Sequence, residues 1–514
     1  MAAASPAPQT LGELSAAGRS SSFASSGQLA FVSTTTFHNP GLLRGSFSTD
    51  AMKCWGAVLD RGRATDEWYA MSQPADHLDV FISHNWSMPR LDKFLILALY
   101  FNLRAAVLCT VLAVVGLASL ETKGVLPDWG ALGALVCAVA CYAVFVFVLL
   151  CWQEFSRLAR CRGKLLFLDK ACIHQSDAAL KQRGIEHLAA FLHYSWNMLV
   201  CYSDDYLQKL WTVYEVASFM LLHPGSAIHV SHPIYAKFLI GCIGIVFIQT
   251  WLSHALRLDE QFPTQTTKDP TDFWGIPLQL TIQFPISLAM AQLVWNVTRH
   301  SVKMSAQIKR FRFSDAACYN EADRSAVKQN IIIFMKHHGH ADNELGDDGI
   351  IHRFESMVHH DLPKLLAASL GRAGFPYHIA ACVVLPYTLC GLGDVGVLFH
   401  KGVPMRTLCF RLAFPLILEF AACPLCLAIK FRVAKQLLQK YQTGHACCIC
   451  ILSAIGYIFT GGSYVLLRTS AALAATGTHA EMLGFGMVSA CYFMMAFFFF
   501  MPFAHNKHYR RLSI

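Results

Sequence analysis

The sequence predicts an α-helical membrane protein of about eight spans that carries a small cytoplasmic α/β domain with a mostly parallel sheet. Three observations lead there. Of 514 residues, 54% are hydrophobic and 15% charged, with mean hydropathy +0.40, whereas soluble domains carry about 25% charged residues. Apolar stretches near the ~20 residues needed to cross a bilayer recur along the chain. Finally, "DVFISHNW" (79–86) and "KLLFLDKACIHQ" (164–175) are short apolar runs ending in polar turns, as buried parallel strands do.

Residues 1–50 are rich in Ser and Ala. They lack the apolar core of a signal peptide and have little to bury, so they read as a disordered cytoplasmic tail. Their Ser-rich, acid-poor character is shared with transit peptides. The first part of the α/β domain follows at 75–103, ending in "LDKFLILALYFNL", whose apolar residues suit an amphipathic helix. Residues 104–152 then form a transmembrane hairpin with spans at 104–120 and 130–152. The first span is short and borrows length from the helix before it. Further spans are expected at 236–255, 273–295, 378–399, 407–429, 446–467 and 482–503.

An even number of spans puts both termini on one side. The opposite loops hold Lys123, Arg257, Lys268, Lys401, Arg406 and Arg468, only six of the 42 basic residues. The rest, including "KFRVAKQLLQK" (430–440) and the basic tail 504–514, fall on the terminal side, which is therefore cytoplasmic. Basic cytoplasmic loops account for the net charge of +9. A lipid bilayer is the expected partner, and nucleic acid is not.

The second part of the domain spans 164–232. "LLFLD" is a short strand ending in a carboxylate. In "RGIEHLAAFLHYSW", Ile185, Leu188, Ala189 and Leu192 fall at helical spacing. A strand at 198–202, a turn at 203–205, an amphipathic helix through Trp211 and Glu215, and a last strand in "SAIHV" complete an alternating pattern. Such alternation argues for a parallel sheet with ligand chemistry at the strand C-terminal ends.

Taken in order, "DVFISH", "FLDKACIHQ", "GIEHL" and "LVCYSDDYLQKLWTVYEVA" resemble the successive boxes of a Toll/interleukin receptor (TIR) domain. The resemblance covers about 25 residues before the hairpin and about 70 after it. It implies a flavodoxin-like sheet split by a membrane insertion between its first helix and second strand, and a domain that self-associates. Enzymatic members of that family cleave the nicotinamide–ribose bond of NAD with a glutamate early in the helix after the BB loop, and Glu186 is the nearest match. NAD would then be a substrate, and no cofactor is called for. Two departures weaken transfer of activity: Thr212 stands where the family often has Cys, and Gln208 where Ser is common.

A carboxylate beside the ribose would stabilise an oxocarbenium-like transition state. Phe81 and Trp86 are candidates to border such a pocket. Ser83 lies at the end of the first strand. Asp169 would bind ribose or cap the next turn, and His84 would line the pocket. Against this, a lone helix Glu is an ordinary solvated residue. Trp211 and Glu215 read as fixing helix to sheet.

The remaining cytoplasmic segment, 300–374, reads as two helices. His337, His338, His340 and Asp342 look like a polar loop. His352, Glu355 and His359 lack an H-x3-H pair, so no metal site is assigned. The 19 cysteines fit small reduced hydrophobes, with Cys447, Cys448 and Cys450 open to S-acylation. Asp394, Arg411 and Glu419 fall in apolar stretches, and Glu419 is deep enough to suggest an ion route. Three functions therefore stand: membrane signalling or assembly, NAD cleavage at Glu186, or a channel or transporter with a regulatory domain. The sequons at Asn85 and Asn296 both fall on the cytoplasmic side. Neither is expected to carry glycan when the protein is expressed in eukaryotic cells; a glycosidase-sensitive mass shift assigned to either one would reverse the topology.

Overall fold

The computed structural model of the chain describes residues 34–37, 39–62, 65–125, 131–224, 228–256, 275–318, 321–340, 345–370, 375–400, 402–440, 445–476 and 478–500. Six strands form one sheet: β1 (Arg44–Phe47), β2 (Gln73–Pro74), β3 (Leu78–His84), β4 (Leu165–Phe167), β5 (Ser195–Cys201) and β6 (Ile228–Ser231). Their spatial order is β2-β1-β4-β3-β5-β6. The four strands β4, β3, β5 and β6 are parallel, while β1 and β2 add an antiparallel edge. The sheet is thus mixed, with a parallel centre. β3 is buried along nearly its whole length, as is the second half of β5, which is why both read as near-continuous apolar runs.

The two segments on either side of the apolar hairpin meet in this sheet. Val80 pairs with Leu166 and Phe81 with Phe167. The Phe81 and Phe167 rings stack at 4.4 Å between centroids, and Phe191 packs against Phe167 at 4.5 Å. Strand β1 lies inside 1–50, so the expected tail does not run to residue 50. It joins β4 through Ser46 and Leu166, and Ser48 and Thr49 bond the backbone of Arg162 and Lys164 just before β4. Four residues, "RGSF", carry too little alternation to announce a strand; the free edge of β4 makes it one.

Helix α1 (Arg90–Thr122) has 33 residues and so runs about 50 Å. It has no break at 103–104, so the expected boundary between domain helix and span does not exist. The chain there contains no Gly or Pro until Gly116, and nothing stops the helix. It is antiparallel to α2 (Ala131–Leu158). Inside this pair, the buried Asn102 amide donates to the Leu149 carbonyl at 2.9 Å and to Gln153 Oε1 at 3.0 Å. The second half of the domain adds α3 (Ala178–Glu186), α4 (Leu188–His193) and α5 (Leu210–Leu222).

The remaining helices are α6 (Pro233–Ala255), α7 (Gly275–Lys309), α8 (Glu321–His337), α9 (Asp347–Leu370), α10 (Tyr377–Cys382), α11 (Leu385–His400), α12 (Met405–Ile417), α13 (Cys423–Lys440), α14 (His445–Thr476) and α15 (His479–Phe500). Among the described residues, seven helices are long and apolar enough to cross a membrane, not eight. The expected span 378–399 is two helices, α10 and α11, interrupted at Val383 and Val384. Pro386 has no N–H to donate, and its ring crowds the carbonyl four residues earlier, which favours a break just before it. Conversely, 407–429 is part of a longer rod in which a π-helical turn (Leu418–Ala422) links α12 to α13. Helix α7 likewise passes residue 300 without a break.

The segment 300–374 is not a separate unit. Lys209 bridges to Ala317, Trp211 Nε1 donates to Asp323 at 3.3 Å, and Asn330 donates to the Tyr214 hydroxyl at 3.2 Å. Helix α8 thereby covers α5. The side chains of Asp394, Arg411 and Glu419, and all of Asp342, lie outside the described residues, as do 1–33 and 501–514. Because Phe81 joins the two halves of the sheet, Phe81→Ala is expected to cost about 3–5 kcal/mol of stability, seen as an early thermal transition by near-UV circular dichroism. A loss below about 1 kcal/mol would mean the two segments share no core.

Candidate functional site

Strand β4 lies on one side of β3 and β5 on the other. Connections leaving β3 and β4 therefore diverge, and a crevice opens at the strand C-terminal ends, where open parallel sheets bind ligands. Polar residues collect there. From β3 come Ser83 and His84, followed by Asn85, Trp86 and Ser87; from the end of β4, Asp169 and Lys170; from the end of β5, Ser203, Asp204 and Asp205. Helix α5 contributes Glu215, and the first turn of α1 contributes Lys93.

Ser83 is fully buried. Its Oγ lies 2.5 Å from Glu215 Oε2 and also meets the Tyr206 hydroxyl. Burial pushes the Glu215 carboxyl up to about 8, so at neutral pH it is a carboxylic acid able to donate a proton. The Tyr206 hydroxyl is raised well above its ordinary range by burial and by Glu215.

His84 sits with Nε2 3.7 Å from Asp169 Oδ1. Burial drives its imidazole down to about 4, against the opposing pull of Asp169, so it is neutral and the contact is not an ion pair at physiological pH. Asp169 Oδ1 accepts the Lys170 backbone N–H at 2.7 Å, and Oδ2 accepts the Trp86 indole N–H. Lys170 is buried; its Nζ bonds the Gly62 carbonyl at 3.1 Å and the Asp60 carbonyl, and lies 5.0 Å over the Trp86 ring. Burial lowers the Lys170 ammonium. Lys93, also buried, reaches the Leu59 carbonyl at 3.3 Å. Ser87 and Ser203 both donate to Asp205, at 2.6 and 2.7 Å, tying the β3 loop to the β5 loop.

The structure thus brings Ser83, His84, Trp86 and Asp169 together. Phe81 does not belong with them: its ring is fully buried in the core against Phe167. Glu186 is exposed at the end of α3, and its carboxylate accepts from Gln182 at 3.0 Å; none of its described contacts reaches the crevice. Asp169 opens a one-turn helix and bonds the next backbone N–H, the expected capping role, while also holding Trp86. Sequence reasoning passed over Lys93, Lys170 and Tyr206. Lys170 carried a readable signal, since it directly follows the strand-ending Asp169.

A second cluster lies beside the first. Asp204 meets Lys303 Nζ at 2.6 Å, His300 Nδ1 at 3.3 Å and His232 Nε2 at 3.9 Å. Asp204, His232 and His300 have the donor types and proximity of a metal triad. However, His232 Nδ1 accepts the Ile234 N–H at 3.1 Å, which leaves the proton of the neutral ring on Nε2. With Lys303 already on Asp204, the cluster acts as an ionic clamp between the sheet and α7.

Two of the shifted groups of the crevice, Glu215 and His84, have opposite linkage. Glu215, raised from 4.5 to about 8, binds a proton in the folded state that the unfolded chain releases, so it lowers stability as pH rises from 4.5 to 8. His84, lowered from 6.5 to about 4, raises stability as pH rises from 4 to 6.5. Above pH 6.5 the His84 contribution is complete and the Glu215 decline continues, worth about 2 kcal/mol by pH 8, where Lys93, lowered to about 8, begins to oppose it. Glu215→Gln is expected to flatten that decline in thermal melts at pH 6.5 and 8. An unchanged slope would contradict the assignment.

No protein-family model matches the chain, and neither does any curated protein or solved structure, so this crevice is interpretable only through its own chemistry.

Proposed function

We propose that the chain is a multi-pass membrane protein whose α/β domain, TIR-like and facing the cytoplasm, signals by self-association at the bilayer. One observation carries this reading: β3 and β4 are neighbours in a single sheet, yet the long helices between them are the apolar pair α1 and α2. The membrane segment is thus part of the wiring of the sheet rather than a tether at its edge. Helix α1 begins at the crevice with Lys93 and continues through the span without a hinge. Displacement at one end is therefore carried to the other. The parallel strands, numbered in chain order, run 2-1-3-4, the flavodoxin-like order as far as it goes, and this supports the TIR-like resemblance.

Glu215 favours a second reading. A carboxylic acid held near neutral pKa beside Ser83, at the ligand-binding end of a parallel sheet, is suited to proton transfer. If the domain cleaves NAD, Glu215 at the strand ends, ionised beside the cationic nicotinamide riboside, takes the place of the exposed Glu186 as the stabilising carboxylate.

Two measurements on full-length protein in lipid nanodiscs or liposomes decide between these readings. Energy transfer between differently labelled copies should rise with surface density; copies that stay monomeric at every density would defeat the assembly proposal. Incubation with NAD should release no nicotinamide. Release lost in Glu215→Gln but kept in Glu186→Gln would establish the hydrolase instead.

A further inference from the structure

Where the bundle helices meet, a partly open cavity of about 100 Å³ lies between α6, α7, the α12–α13 rod, α14 and the break between α10 and α11. Its wall is mostly aliphatic, with polar points at Gln249, Gln283, Ser287, Thr460, Tyr464 and Lys430. Lys430 is only 3% exposed. Its ammonium is seated against Gly456, where an added Cβ would fall 2.0 Å from Nζ. Gly456 lies eleven residues along α14 from His445, which is about 16 Å, roughly half the depth of a ~30 Å hydrocarbon core.

Among the described residues, no carboxylate lines this cavity. Among the described residues, no hydrogen bond or ion pair engages Lys430. A buried ammonium without a partner in an apolar bundle is costly and marks a binding site by default. Two interruptions of helical hydrogen bonding border the same space. Val383 and Val384 form the break before α11, and Leu418 begins the π-helical turn. Broken helices at mid-depth are where membrane bundles build ligand sites.

We propose that this cavity binds an aliphatic carboxylate, with its head paired to Lys430, its first methylenes along the apolar wall and the rest of its chain leaving through the open side. The single cation selects a monoanion. A bare inorganic anion would leave the aliphatic wall uncovered, and an alcohol of the same length would leave the ammonium unpaired. The amides of Gln249 and Gln283, joined at 2.9 Å, add fixed dipoles to the wall. None of the residues lining this cavity belongs to the strand-end crevice, and the proposal does not depend on the assembly or the hydrolase reading.

The test uses full-length protein in phosphatidylcholine nanodiscs, with decanoate, decanol and acetate as probes in calorimetric titration and thermal shift. Decanoate should bind saturably and raise the melting temperature, and decanol and acetate should do neither. Lys430→Met should weaken decanoate binding about ten- to hundredfold. Gly456→Ala, which intrudes on the ammonium's seat, should weaken it as well. Lys435→Gln, at an exposed position on the same helix, should leave it unchanged. Wild-type protein that binds decanoate no better than decanol, or no better than acetate, overturns the proposal without reference to any variant. So does a folded Lys430→Met protein that binds decanoate as tightly as wild type.

Discussion

The pairing of β3 with β4 is the constraint on which the rest of the structure depends. Val80 and Leu166 are hydrogen-bonded neighbours, although two long apolar helices separate them in sequence. Parallel strands always need a crossover, and the usual one is a single helix packed on the sheet. Here the crossover is a hairpin of α1 and α2, in which α1 alone is about 50 Å long. The entropic cost of closing so long a connection rises only slowly with length. Once the hairpin helices lock together through Asn102 and Gln153, the connection is no longer a flexible loop at all. The stacked Phe81 and Phe167 rings then hold the two halves in register.

That arrangement places unlike dielectric environments end to end. At the strand termini, polar groups satisfy one another: Ser83 with Glu215 and Tyr206, Asp169 with Trp86, Lys170 with the Asp60 and Gly62 carbonyls. Desolvation still moves their proton affinities, making Glu215 a neutral acid and His84 a neutral base. In the bundle the balance differs, because Lys430 is buried and, among the described residues, no carboxylate lines the cavity beside it. A satisfied network rigidifies, whereas an unsatisfied charge asks for a ligand. The ionic clamp of Asp204 with His300 and Lys303 lies between, binding the sheet to α7.

Much of the architecture was legible in local pattern. Composition and the recurring apolar stretches point to a helical bundle, because ~20 apolar residues are what hydrocarbon thickness demands. "DVFISH" and "LLFLD" read as central parallel strands because burial on both faces removes polar alternation. The grouping of Ser83, His84, Trp86 and Asp169 followed from their position at strand ends, since a parallel sheet carries all those ends to one side. Aromatic content alone misled at Phe81, because an aromatic in a doubly buried strand packs inward.

What local pattern could not decide depended on partners distant in sequence. Strand β1 exists because β4 offers a free edge, and "RGSF" carries no sign of it. Glu186 and Glu215 are both helix glutamates; only the packing of α5 against β3 makes one a buried acid while the other stays in solvent. Lys430 begins a run that looks like a basic cytoplasmic loop. The continuous rod from Met405 draws it into the bundle instead. Hydrophobic pattern marked most of the helices, the central strands and the apolar stretches, since it is a property of each residue and its near neighbours. Burial, and with it charge state and reactivity, was decided only when tertiary packing chose what stands opposite each side chain.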